Sequence, residues 1–222
     1  AVLLSACSSP KHEPMPLVKF TPSMEVTEVW SKGLSSAEGF LVPAVYDDMV
    51  FAAGGKTLTR LNARTGETEW SVSFNSPITG GVGSDGYVTA VGLWDGNLEV
   101  VDAEGKVSWE KKLTTELASP PVVSHGLVIA RTMDTRVSAF EASSGELQWT
   151  YQKSQPALTV RLPTRMLAHD NFLLVGQPNG HIVILDIASG KPMFEFQVAQ
   201  AKGVTEVERL VDVVGAPAFS DN

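Results

Sequence analysis

Leu61-Asn62-Ala63-Arg64-Thr65-Gly66-Glu67-Thr68-Glu69-Trp70 returns three more times along the chain. The copies are Val101-Asp102-Ala103-Glu104-Gly105-Lys106-Val107-Ser108-Trp109, Phe140-Glu141-Ala142-Ser143-Ser144-Gly145-Glu146-Leu147-Gln148-Trp149 and Leu185-Asp186-Ile187-Ala188-Ser189-Gly190-Lys191-Pro192-Met193-Phe194. The glycines at 66, 105, 145 and 190 are 39, 40 and 45 residues apart, and the closing aromatics at 70, 109, 149 and 194 repeat those gaps. Trp30 lies 40 residues before Trp70 and extends the series backwards. Self-similarity at this period signals a repeat array.

Within a unit the pattern is four short strands. The third copy reads as strands over 121–124, 127–132, 135–141 and 147–152, separated by Ser-His-Gly, Met-Asp-Thr and Ser-Ser-Gly turns. Short strands punctuated this regularly indicate an all-β protein. Twisted four-stranded antiparallel sheets repeated at about 40–50 residues make a β-propeller. The Gly supplies the positive φ of a tight hairpin. The aromatic four residues later is placed to pack between neighbouring sheets, so Trp70, Trp109 and Trp149 are expected to be mostly buried. Residues 24–222 hold four blades and, near 213–219, the first strand of a fifth. Trp94-Asp95 resembles a WD dipeptide, but in register it falls in the turn between second and third strands rather than closing a strand.

Composition narrows the function. The net charge of −8 argues against nucleic acid as a partner, since that needs a basic face. No apolar run approaches the roughly 20 residues that span a bilayer. The single cysteine, Cys7, rules out an internal disulfide and a multi-cysteine metal site. His12, His125, His169 and His181 show no metal-binding spacing. No Ser-His-Asp, Cys-His or paired-carboxylate constellation stands out, so no catalytic, cofactor-binding or metal-binding residue is assigned. Asp102, Glu141 and Asp186 occupy a pre-turn position where a carboxylate accepts backbone N–H bonds.

The first residues read as processing. Leu4-Ser5-Ala6-Cys7 resembles a bacterial lipobox: residues 1–6 end a signal peptide, and Cys7 is the lipidation site. Residues 7–23 carry three prolines over 8–16 and read as a flexible tether. Acyl chains anchor without a transmembrane helix. Ser8 after the cysteine suggests the outer membrane, with the domain facing the periplasm.

The unit Asp-x-x-Thr/Ser-Gly-x-x-x-Trp, best seen at Leu185–Gly190, resembles the quinoprotein-type (PQQ-like) propeller repeat. With the lipobox, the chain is similar to the BamB family, propeller lipoproteins of the outer-membrane β-barrel assembly machinery. The resemblance implies eight blades, so the chain is expected to be cut short at both ends, with Trp30 closing a strand of the eighth blade. It also implies a non-enzymatic scaffold without cofactors. The implied partner is a BamA-type barrel-forming subunit, bound through its periplasmic domains, with unfolded outer-membrane proteins as further clients. The connections after the closing aromatics run 13, 11, 12, 14 and 23 residues to the next blade, and long insertions on a rigid scaffold commonly bind. The longest, 199–211, carries Lys202, Glu206, Glu208 and Arg209. A family pattern Leu-x-Leu-Arg matches Leu158-Thr159-Val160-Arg161, and Asp-x-Asp matches Asp212 with Val214 in place of the second Asp. The resemblance therefore implies a partner surface of Leu158, Val160, Arg161 and Asp212, with Asp212 offering its charge to a basic group. Two other readings stand beside it: a quinone-dependent dehydrogenase, whose family resemblance would bring Ca²⁺, a catalytic Asp and a vicinal disulfide, and a periplasmic sensor propeller with another partner.

Overall fold

The computed structural model describes residues 15–18, 23–35, 41–154, 158–160 and 165–219. It contains four antiparallel sheets of four strands each, connected in simple up-and-down order. The first blade is β1 (Ala44–Tyr46), β2 (Met49–Gly54), β3 (Thr57–Asn62) and β4 (Thr68–Ser73). The second is β5 (Ile78–Ser84), β6 (Thr89–Leu93), β7 (Asn97–Val101) and β8 (Val107–Lys112). The third is β9 (Val122–Ser124), β10 (Leu127–Arg131), β11 (Val137–Glu141) and β12 (Leu147–Tyr151). The fourth is β13 (Leu167–His169), β14 (Phe172–Gly176), β15 (His181–Asp186) and β16 (Pro192–Gln197). The blade boundaries agree with the repeat, and in the third blade each strand end lies within two residues of its expected place. Trp94 sits in the β6–β7 turn, 68% exposed, as its register requires.

The first strands β1, β5, β9 and β13 touch in succession. The core lies between the sheets, not inside one. Phe51, Leu58, Ile78, Val82 and Val91 fill the space between the first and second blades. Ala90, Leu98, Val128, Ala130 and Phe140 fill the next, and Ile129, Val137, Leu173, Val175 and Val183 the third. The middle strands are largely apolar, and in blades two and three both faces meet a neighbouring blade. Each outer strand is largely exposed.

One contact recurs from each blade to the next. The Trp30 indole N–H donates to the Ala63 carbonyl at 2.8 Å. Trp70 donates to Ala103 at 2.9 Å, Trp109 to Ala142 at 2.8 Å and Trp149 to Ile187 at 2.8 Å. Each ring lies flat on the turn glycine of the following blade: a Cβ on Gly66, Gly105, Gly145 or Gly190 would stand 2.4–2.7 Å from Trp30, Trp70, Trp109 or Trp149. These glycines have φ of 72°, 81°, 71° and 67°. Glycine is thus required twice, for backbone conformation and for the ring above it. The register between third and fourth strands shifts by one residue in every blade just before the aromatic. One added residue reverses the face a side chain occupies, so the bulge turns the aromatic towards its neighbour.

Trp70, Trp109 and Trp149 are mostly buried, as expected; Trp149 is 9% exposed, while Trp70 and Trp109 keep an edge of the ring in solvent because each lies on a surface turn. Two expectations need correction. Trp30 docks like the others, yet the described residues around it form no strand, having no second strand to pair with. Residues 213–219 likewise form no strand. They do occupy the approach of a next first strand: Val213 N–H donates to Gln177 C=O of blade four, as Ile78 of blade two donates to Gly55 of blade one. Among the described residues no neighbouring strand completes the ladder. Phe194, the fourth closing aromatic, is 58% exposed.

Blade two carries one unusual pair, a buried carboxylate beside an exposed one. Where blades one and three set Thr59 against Ser71 and Ser138 against Thr150, blade two sets Glu99 against Glu110. Burial, then the nearby Glu110 and Asp95 carboxylates, push the Glu99 carboxyl up to about 6. The folded protein thus holds this proton more tightly than the unfolded chain does, and the pair becomes a liability as pH rises from about 4.5 through 6. Glu99→Gln is expected to raise unfolding free energy at pH 7 by about 1–2 kcal/mol and to change it little at pH 4. Denaturant midpoints at the two pH values check this, and an equal effect at both would show that ionisation is not the cause.

The Trp–Gly contact gives a second expectation. Gly105→Ala forces a left-handed alanine and pushes its methyl into Trp70, costing about 2–4 kcal/mol in the full-length protein. With Trp70→Ala already present, the same change should cost only about 1–2 kcal/mol. Equal costs in both backgrounds would mean that the ring and the glycine do not bear on each other.

Candidate partner-binding rim

In a four-stranded meander the second turn and the exit from the last strand fall at the same end. That end gathers the turns β2–β3, β6–β7, β10–β11 and β14–β15 with every connection between blades. The two sets are tied together by backbone bonds. Phe74 N–H donates to Lys56 C=O at 2.9 Å, Leu113 to Gly96 at 3.0 Å and Val198 to Gly180 at 2.7 Å. The rim is therefore held by the propeller itself.

Three of the sequence-derived candidates, Leu158, Val160 and Asp212, fall on this rim. Leu158 is 41% exposed and Val160 37% exposed, on the connection between blades three and four. Asp212 is half-buried, on the connection leaving blade four. The two connections meet: the Val160 backbone N–H donates to an Asp212 carboxylate oxygen. Val214, where the family pattern has a second Asp, is 37% exposed. Arg161 and the lipobox cysteine Cys7 lie outside the described residues.

The long insertion after β16 has a local logic that the sequence reading passed over. Thr205-Glu206-Val207-Glu208 is a capping box. The Glu208 carboxylate accepts from the Val204 and Thr205 N–H groups at 2.9 and 3.0 Å, and Glu208 N–H donates to Thr205 Oγ1 at 3.3 Å. These bonds hold the Glu208 carboxyl below its ordinary range. The capped turn presents Val204 and Val207, 97% and 68% exposed.

Arg131, at the end of β10, was also missed. It is 4% exposed. Its Nε and Nη1 have no hydrogen-bond partner among the described residues. It lines a cleft on the rim together with Thr159, Val160, Pro178, Asp212 and Val214. Burial lowers the guanidinium to about 10, and the Asp212 carboxylate opposes that shift. The available signal was a charged residue ending the apolar run Leu127-Val128-Ile129-Ala130.

The carboxylates of the repeat serve the turns. Asp102 accepts from the Glu104 and Lys106 N–H groups at 3.1 and 2.8 Å, and Asp186 from Ser189 N–H at 2.9 Å. Glu141, one methylene longer, meets the Ser143 hydroxyl at 3.5 Å. Among the described residues no group of three or more His, Cys, Asp or Glu is placed to hold a metal ion. No helix among them is long and apolar enough to cross a membrane.

Comparison with known proteins agrees with this geometry. The profile of the family described as outer membrane protein assembly factor BamB matches residues 54–222. The outer membrane protein assembly factor BamB of Burkholderia pseudomallei (strain K96243) is 39% identical over 98% of this chain and 59% of its own length. The chain thus spans about three-fifths of that relative. The crystal structure of BamB from Moraxella catarrhalis superposes with a TM-score of 0.73 at 29% identity, covering 82% of this chain and 56% of that one. Quinohemoprotein alcohol dehydrogenase from Comamonas testosteroni superposes with a TM-score of 0.56 at 20% identity, covering 74% and 35%, a likeness of fold alone. A propeller of Trp-locked four-stranded blades, matched by that profile over most of its length, belongs to the BamB family of outer membrane protein assembly factors.

Proposed function

We propose that this chain carries the partner-binding blades of a non-enzymatic scaffold lipoprotein of the β-barrel assembly complex. The rim docks the periplasmic domains of the barrel-forming, BamA-type subunit, and the complex assists insertion of outer-membrane proteins. One observation carries the reading: the two connections matching the family's partner-contact segments, far apart in sequence, meet at the Val160 N–H to Asp212 bond on a single rim.

The chemistry suits a protein partner. Leu158 and Val160 offer apolar area already in solvent. Arg161, planar and always charged, offers a directed fork of donors. Val204 and Val207 extend the apolar surface onto the capped insertion. An extended edge of the partner's sheet could pair along such a rim, with backbone bonds giving affinity and side-chain contacts specificity. Family membership favours this over a dehydrogenase or a sensor propeller. Acylation of Cys7 places the rim at the outer membrane, facing the periplasm.

Titration of the full-length lipoprotein with the subunit's periplasmic domains tests the rim. Leu158→Ala and Arg161→Ala should each weaken binding by about 1–3 kcal/mol, while Glu104→Ala, in a hairpin turn at the opposite end, should change almost nothing. Equal binding by all three would remove the interface from this rim. Anchoring is tested separately: Cys7→Ser, expressed with its signal peptide, should leave the membrane fraction and appear soluble in the periplasm. Continued sedimentation with the outer membrane would contradict lipidation there.

A further inference from the structure

We propose that Arg131 is a positioning residue for the partner surface: through Asp212 it fixes the Val160 backbone and so holds Leu158 and Val160 facing outward. The inference rests on the partner-binding reading above and adds to it a residue outside both family segments.

Three separate parts of the chain converge here. Arg131 ends β10 in blade three, Val160 lies on the connection to blade four, and Asp212 lies on the connection leaving it. Arg131 is 4% exposed, and among the described residues its Nε and Nη1 find no hydrogen-bond partner. No carboxylate within ion-pair distance of it is found among the described residues. A buried cation without a partner is costly, and an opposite charge nearby lowers that cost. Asp212 is the charge in place to do so. The attraction draws its carboxylate towards the cleft, where an oxygen meets the Val160 N–H. A bond from an amide to an ionised carboxylate is about twice as strong as a neutral one.

The consequence is mechanical. Thr159 and Val160 cross a cleft whose walls include Pro178, Val213 and Val214. An untethered loop there would lower its energy by turning its apolar side chains into the cleft. With its backbone fixed at Val160, the loop keeps Leu158 and Val160 in solvent, available to a partner. Preorganisation of this kind lowers the ordering cost of association. On this view Asp212 works inward, orienting its neighbours, rather than outward against a basic group of the partner.

Two readouts on the full-length lipoprotein test the proposal: hydrogen exchange at the Val160 amide in the free protein, and titration with the barrel-forming subunit's periplasmic domains. Arg131→Met should speed exchange at Val160 and weaken binding about tenfold. Arg131→Lys, which keeps the charge, should recover much of both. Asp212→Asn keeps a hydrogen-bond acceptor and removes only the charge facing Arg131, and it does not disturb the packing of β10. It should behave like Arg131→Met, and combining the two should add little further loss. Should Arg131→Met fail to fold, Asp212→Asn and Arg131→Lys decide alone. Unchanged Val160 exchange and unchanged binding in Asp212→Asn would overturn the proposal. So would additive losses in the double variant. If Leu158→Ala weakens binding while Asp212→Asn does not, the positioning role fails and the rim stands. If Leu158→Ala is also without effect, the rim reading has failed.

Discussion

An indole ring lying flat on a bare glycine is the contact on which this structure depends. A four-stranded blade is too small to enclose a core, and its apolar middle strands can be buried only against another blade. The closing tryptophan brings that neighbour into place. Its face rests where a Cβ would otherwise be, and its N–H satisfies a carbonyl of the neighbour's turn. The spacing from Trp to carbonyl is 33 residues for the first three pairs and 38 for the fourth, where the repeat itself lengthens. The period of the sequence is therefore set by a contact between blades. In the first blade Arg60 reinforces it, donating to the same Ala103 carbonyl at 3.0 Å while paired with Glu69 at 2.6 Å.

A stiff stack of this kind frees one end for recognition. Turns at the hairpin end are committed to the tryptophans of the preceding blade. Turns at the other end carry no such ring and are bonded to the connections between blades, which vary in length. Insertions there leave the core untouched, and the backbone bonds at Lys56, Gly96 and Gly180 keep their roots fixed. The Val160 and Asp212 contact lies between two such insertions. Recognition can thus be built from poorly matched loops without disturbing the repeat that supports them.

Much of this was legible in the sequence. Glycine and aromatic spacing fixed the blade count, and turn chemistry placed the third-blade strands within two residues. What escaped was long-range. Gly66 and its equivalents were understandable as turn residues, but the ring above each belongs to another blade, and nothing local announces it. The bulge before each aromatic is a matter of register, which composition does not show. Strands at Trp30 and at 213–219 followed from the repeat, yet a strand exists only when another pairs with it. Of the candidate surface, Leu158, Val160 and Asp212 were readable by resemblance. Arg131 was not, because an arginine ending an apolar strand looks like an ordinary solvated edge until the fold buries it. The capping box at Thr205–Glu208 was present in plain view within a stretch read as a loop.

Hydrogen exchange across the whole chain, with and without the barrel-forming subunit's periplasmic domains, addresses the central assignment most directly. Binding should slow exchange at the 158–160 connection, the 199–214 insertion and the adjoining turns at 131–137 and 176–181. The hairpin end, where Asn62–Gly66 and Asp102–Gly105 receive the tryptophans, should exchange at the same rate in both states. Protection at that hairpin end, with none on the rim, would contradict the assignment of the rim as the partner surface.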